Sequence, residues 1–132
     1  MEQQTLHSIR SHFDDYIAGF AKNGVLEAPL ELKRQHSCRV AQECLGIATA
    51  LDWPNSKLHT AEALGLLHDL GRFSQYAQYR TFADGASVDH GERGHQIASR
   101  WTLLTSLPLE EQAWILDGIR HHNDRQIPAG LT

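Results

Sequence analysis

Leu64-Gly65-Leu66-Leu67-His68-Asp69-Leu70-Gly71-Arg72-Phe73 (LGLLHDLGRF) sets an ionisable pair directly against a run of leucines. Packing alone explains such a pair poorly, because burying a histidine and a carboxylate together is costly unless something offsets their lost hydration. A divalent metal compensates both groups at once, so this stretch predicts a metal site. Two other histidine-bearing apolar stretches, one on each side in the sequence, could close around the pair.

Working outward, apolar residues recur at helical spacing almost everywhere, and no segment alternates like a strand of β-branched residues. The expected fold is an all-α bundle of about five to six helices. A first helix is predicted from about Thr5 to Ala21, with Ile9, Phe13, Ile17 and Phe20 on one face and a stop near Asn23-Gly24. A second runs from Pro29 or Leu30 to Leu51, and its apolar stripe reads Leu32, His36, Val40, Cys44, Ile47 and Leu51. The third opens with Asn55 or Ser56 as N-cap, carries Leu58, Ala61, Leu64 and Leu67 inward, reaches His68-Asp69 and stops at Gly71. Residues 72–89 read as a polar, aromatic-spotted connection with one helical turn around Gln75 to Tyr79, long enough to be functional. The fourth helix starts near His90 and places His90, Gly94, Ile97, Trp101 and Leu104 inward. The fifth, from about Leu109, aligns Gln112, Ile115, Ile119 and His122.

Composition bounds the function. With 132 residues, 41% hydrophobic and 21% charged, the chain is expected to form one domain around a single core. Twelve basic against sixteen acidic residues give a net charge of −4, with the basic residues scattered, so no nucleic-acid partner is expected. No run approaches a membrane span and the start resembles no signal peptide, which predicts a cytoplasmic protein with no membrane association. Cys38 and Cys44 lie six positions apart on one predicted helix, about 9 Å at ~1.5 Å per residue. That exceeds the ~7 Å reach of a disulfide. Nine histidines outnumber Phe and Tyr combined, and histidine is the commonest metal ligand.

Four predicted helices thus each present a histidine on the apolar side: His36, His68, His90 and His122, with Asp69 beside the second. One histidine on an apolar face is ordinarily a hydrogen-bonded core residue. Four together with an adjacent carboxylate point to ligands, and helical bundles do build metal sites from inward side chains on facing helices.

The ordered set His36, His68-Asp69, His90 followed by Gly94, and His122 within GIRHHN resembles the HD-domain superfamily of metal-dependent phosphohydrolases. LLHDLGRF resembles that family's His-Asp-Ile-Gly-Lys/Arg segment, and YRTFADGASVDHGERG a bacterial branch with an aromatic-rich loop before the second-metal histidine. The resemblance covers about His36 to Asn123. It implies that His36, His68 and Asp69 bind a first divalent metal, and that His90 and His122 help bind a second bridged by Asp69. Imidazole and carboxylate suit Mn, Fe, Zn, Ni or Mg without choosing among them. A metal-held hydroxide would then attack the phosphorus of a small phosphorylated substrate, such as a nucleotide, with no side-chain nucleophile. Asp69 and Arg72 are the catalytic candidates, Arg72 at the position where the family often has a basic residue facing phosphate; a solvated arginine at a helix end is the equal alternative. Arg80 is a weaker candidate of that kind. Asp84 and Asp89 read either as orienting groups for ligands or as loop caps.

His121 points about 100° from His122 on a helix, and both the stripe and the family pattern select His122. His7, His12, His59 and His95 read as exposed, and Trp101 and Trp114 as core anchors. The family's final aspartate segment has no counterpart here; after His122 the one acidic side chain is Asp124. A fragment of a longer protein, a shortened homologue, or a partner chain completing the site are the three explanations, and less-covered helix faces raise the hypothesis of a homo-oligomer. Two other functions stay open: a di-iron oxygenase of the same superfamily, and a non-catalytic metal- or nucleotide-binding module.

Overall fold

The computed structural model describes residues 1–122. Seven α-helices lie in this span: α1 (Gln3–Ala18), α2 (Ala28–Ala50), α3 (Asn55–Leu67), α4 (Gly71–Tyr79), α5 (His90–Ala98), α6 (Thr102–Thr105) and α7 (Leu109–His121). A 3₁₀ turn at Asp84–Ala86 interrupts the link between α4 and α5. Among the described residues there is no strand, only an isolated bridge between Lys22 and Val25. Asn23 and Gly24 close that bridge with positive φ, the backbone sense an Asn-Gly turn favours.

The core forms around α3. Thr60, Glu62, Ala63, Gly65, Leu66 and Leu67 are all buried, and a helix covered on most of its circumference belongs in the middle of its bundle. It packs against α2, α1 and α7, while α5 packs against α4 and α7. Leu6, Ile9, Phe13 and Ile17 of α1 meet Leu66, Leu67, Leu70, Phe73, Ile115 and Ile119 in one apolar cluster. Buried Glu62 is held by Arg10, whose Nε and Nη2 both donate to Oε2 at 3.0 and 2.7 Å.

Several local expectations are corrected. The inward stripe of α2 is Leu30, Ser37, Ala41 and Ala48, whereas Leu32, Ile47 and Leu51 are 65%, 63% and 61% exposed. The reason is close approach: a Cβ on Gly65 would lie 2.8 Å from the Val40 carbonyl oxygen, 2.9 Å from Ala41 Cα and 2.9 Å from Cys44 Sγ. With α2 and α3 this near, the seam accepts small residues and large ones turn outward. The chain before α3 is extended at Pro54, and no side chain caps the helix there. Gly71 starts α4 rather than ending the pattern, since His68 and Leu70 keep right-handed helical angles. The polar connection is therefore mostly helix, and the true link spans 80–89. The predicted fourth helix is two: extended Trp101 separates α5 from α6, with its indole edge-on to His12 at 4.3 Å and Tyr16 at 5.8 Å. Trp114 is exposed with Lys57 over its ring, so only Trp101 anchors the core. His59 and His95 are half-buried, and their Nδ1 atoms donate to the carbonyls of Met1 and Leu116. Cys38 and Cys44 are free thiols.

Gly71 is needed for contact rather than for turning. A Cβ there would overlap the His90 carbonyl oxygen and come within 2.7 Å of Gly94 N. This is backbone, which cannot yield as a flexible side chain does. Gly71→Ala is expected to cost about 3 kcal/mol or more, the upper range of overpacking, read from the urea midpoint; a cost below about 1 kcal/mol would show that α4 and α5 can separate.

Candidate metal centre

Asp69 sits in the turn between α3 and α4, where its own carbonyl accepts from Arg72 N at 2.9 Å. Its carboxylate is nearly buried, and each oxygen faces two imidazoles. Oδ2 lies 3.4 Å from His36 Nε2 and 3.3 Å from His68 Nε2. Oδ1 lies 3.1 Å from His122 Nε2 and 3.4 Å from His90 Nε2. The four histidines come from the middle of α2, the end of α3, the first residue of α5 and the residue after α7. Two groups of ligand atoms result, His36-His68-Asp69 and Asp69-His90-His122, each within 4.8 Å and sharing Asp69. This is the division that the sequence resemblance implied.

The far side of each ring decides what the near side can do. His68 Nδ1 donates to the Gly65 carbonyl at 2.7 Å, and His122 Nδ1 to the Ile119 carbonyl at 2.8 Å. His90 Nδ1 donates to Asp84 Oδ2 at 2.8 Å. Carbonyls and carboxylates only accept, so each of these Nδ1 atoms carries a proton, and Nε2, which faces Asp69, is the nitrogen that offers a lone pair whenever the ring is neutral. His90 Nε2 and His122 Nε2 stand 2.8 Å apart with Asp69 Oδ1 beside both. Converging lone pairs on a carboxylate repel unless a positive charge lies between them, either protons or a metal ion. The donor set is compatible with a divalent metal, and nitrogen with carboxylate oxygen suits several such ions.

The acid-base shifts follow the same geometry. Burial pushes the Asp69 pKa up, yet hydrogen bonds with His122, His68 and His90 outweigh it and hold the carboxyl well below the usual carboxylate range. For His68, burial favours the neutral ring, but the Asp69 bond and charge and the Gly65 carbonyl prevail and raise its pKa. The His36 pKa is lowered, because burial, reinforced by the charges of His68, Lys33 and Arg39, exceeds the pull of Asp69.

A family model described as HD domain matches residues 34–130. The chain belongs to the HD-domain family. HD domains are generally metal-dependent hydrolases, and the two His/Asp groups of this HD domain are compatible with a divalent metal ion. No curated protein and no solved structure matches the chain. Among the described residues no helix is long and apolar enough to cross a membrane.

The remaining candidates divide. Arg72 Nη1 donates to the Phe82 carbonyl at 2.6 Å and shares its second hydrogen between Asp84 Oδ1 and Gln75 Oε1 at 3.0 Å each, while its Nε is buried and unpartnered. Its cationic group is tied to the link rather than presented at the cluster. Arg80, at the left-handed end of α4, pairs with Glu27 and covers the Tyr76 ring. Asp84 Oδ2 accepts from the ring Nδ1 of His90 at 2.8 Å, whereas Asp89 caps α5 by accepting from Glu92 N at 2.9 Å. Asp124 lies outside the described residues.

Sequence reasoning missed two residues. Lys33 Nζ stands 3.8 Å from Asp69 Oδ2 and 5.1 Å from the centre of the Phe82 ring. Its signal was available, since it precedes His36 by three positions on one helix. Gln75, fully buried on α4, left no such signal inside a segment read as a polar connection.

Metal uptake must expel protons from Nε2, so affinity falls as pH drops, and the raised pKa of His68 adds to that competition. Dialysis at about pH 7.5 with Mn²⁺ is expected to load the chain, and dialysis at about pH 5, below the ordinary imidazole pKa, to strip it. Elemental analysis of both samples checks this; equal content at the two pH values would place the metal elsewhere.

Proposed function

We propose that this chain is a metal-dependent phosphohydrolase acting on a small phosphorylated molecule. The observation that carries the reading is one buried carboxylate, Asp69, whose two oxygens each face two imidazole Nε2 atoms. Divalent ions in such a site supply charge to offset the phosphoryl oxygens and a water of lowered pKa. The protein's part is to hold the ligands. His36, His68 and Asp69 would keep one ion, and Asp69, His90 and His122 the other, with Asp69 common to both.

The cation offered to substrate is assigned to Lys33 rather than Arg72. Arg72 already serves three acceptors on its own link and neighbours. Lys33 has a flexible ammonium at the His36 edge of the cluster, long rather than tight in its pairing with Asp69 at 3.8 Å. An ammonium there can swing from Asp69 to a phosphate oxygen once a metal neutralises the carboxylate.

A panel of small phosphomonoesters and nucleotides, assayed for released phosphate with Mn²⁺, tests the function. His68→Ala and Asp69→Ala are each expected to abolish metal-dependent release while the helical circular dichroism persists. Hydrolysis retained in both variants, or bound iron with dioxygen consumption and no phosphate release, would overturn the reading; the latter result would select the oxygenase. Lys33→Met is expected to raise KM by about tenfold, the scale of one charged hydrogen bond, with metal content unchanged.

A further inference from the structure

Gln75 is a fully buried amide side chain on α4, facing the link between α4 and α5, and both of its ends are engaged. Its Nε2 faces Asp84 Oδ1 at 2.9 Å, Ser87 Oγ at 3.0 Å and the Val88 carbonyl at 3.3 Å. Its Oε1 accepts from Arg72 Nη1 at 3.0 Å. The direction of these bonds is dictated by the neighbours. A carboxylate and a carbonyl only accept, and Ser87 spends its own proton on the Ala83 carbonyl at 2.8 Å, so this end must be the NH2, whose two hydrogens are shared among the three acceptors. Arg72 only donates, so the opposite end must accept. A primary amide meets both demands. A carboxylate or a thioether of similar size does not.

The bonds have a destination. The residues that Gln75 grips, Asp84, Ser87 and Val88, form the strap 84–88 leading into α5. Asp84 Oδ2 in turn accepts from the ring Nδ1 of His90 at 2.8 Å and from the His90 backbone N at 3.2 Å. Thus one oxygen of Asp84 is fastened by Gln75 and Arg72 while the other holds the proton on His90 Nδ1, which leaves the His90 Nε2 lone pair facing Asp69 Oδ1 and His122 Nε2. We propose that Gln75 is a positioning residue for the second ion: it clamps the strap so that Asp84 holds His90 in the Nδ1-protonated form. This deepens the phosphohydrolase reading and rests on it for the ion, though the control of the His90 tautomer does not. Partners that orient a ligating imidazole through its other nitrogen commonly change metal affinity by about 10- to 100-fold when lost.

Gln75→Glu is the sharp variant, because it keeps shape while setting a carboxylate against Asp84 and the Val88 carbonyl. Gln75→Met keeps volume and removes all four of these hydrogen bonds. Two readouts are taken on the full chain. Ring ¹⁵N shifts of metal-free protein, with His90 assigned through His90→Gln, report the tautomer. Calorimetric titration with Mn²⁺ alone reports each equivalent. The expected result is a wild-type His90 protonated on Nδ1, mixed tautomers in both variants, and a second Mn²⁺ equivalent weakened about 10- to 100-fold with the first unchanged. A merely structural glutamine would shift the unfolding midpoint without moving the His90 shifts or separating the two equivalents. Unchanged His90 shifts and an unchanged second equivalent would overturn the proposal. A wild-type chain that takes up no Mn²⁺ would instead refute the metal reading, and the His90 shifts would then decide the role of Gln75 alone. Should the Gln75 variants fail to fold, Ser87→Ala, which removes one acceptor from the amide, is measured in the same way, and unaltered shifts and affinities there overturn the proposal.

Discussion

A carboxylate buried among four imidazoles is the constraint to which the rest of the structure answers. Taking a carboxylate out of water costs several kcal/mol even after relaxation, and Asp69 has no offset unless positive charge gathers on both of its oxygens. The imidazoles that can hold that charge come from α2, α3, α5 and α7, which are distant in sequence. They can converge on one side chain only if their helices approach very closely. The glycines answer that demand. Gly65 lets α3 settle against Val40 and Ala41 of α2, and Gly71 lets α4 lie against the first turn of α5. Gly94 completes the second contact, since a Cβ there would meet Ile119 and Gly71 N. Helix packing and site geometry are thus one problem, and a methyl group in the wrong place disturbs both.

Around this centre the cations are divided by what they already hold. Arg72 has a planar guanidinium suited to several fixed acceptors, and the structure uses it to tie α4 to the link through Phe82 and Asp84. Lys33 carries a compact ammonium on a flexible stem and reaches the edge of the cluster with one long ion pair. The first arrangement organises the protein; the second leaves a charge able to move. Asp84 shows the same economy in the opposite sign, with Arg72 and Gln75 on one oxygen and His90 on the other; burial pushes its carboxyl up, but the hydrogen bonds from Gln75 and His90 outweigh it and hold it below the usual range.

Much of this was legible in the sequence, and the physical reason is periodicity. The helical repeat of α1, α3 and α7 and the histidines placed at inward positions follow from 3.6 residues per turn, and that period alone puts His90 and His122 on the core side. Period fails where hydrophobicity and burial part company. On α2 Leu32 and Ile47, with Leu51 at its C-cap, face outward, because the seam against Gly65 of α3 at Val40, Ala41 and Cys44 leaves no room for large ones; Leu30, near the helix start, is the large residue that stays inside. Gly71 resembles a helix stop when read locally and is in fact the place where two backbones touch. Trp101 fits the inward stripe of α5 yet breaks the helix, since its ring is drawn against His12 and Tyr16 of α1.

The sequence by itself determined that the chain is helical, that His68-Asp69 lies where α3 ends, and that histidines on separate helices would be available to it. Those are consequences of local pattern, which every residue carries with it. Only the tertiary structure decided that each Asp69 oxygen meets two imidazoles, that Arg72 is spent on the link while Lys33 reaches the carboxylate, and that buried Gln75 stands behind Asp84 and His90. Hydrogen-bond partners across 9 to 53 residues of sequence depend on how closely helices pack, and that distance is set by side chains on both partners together.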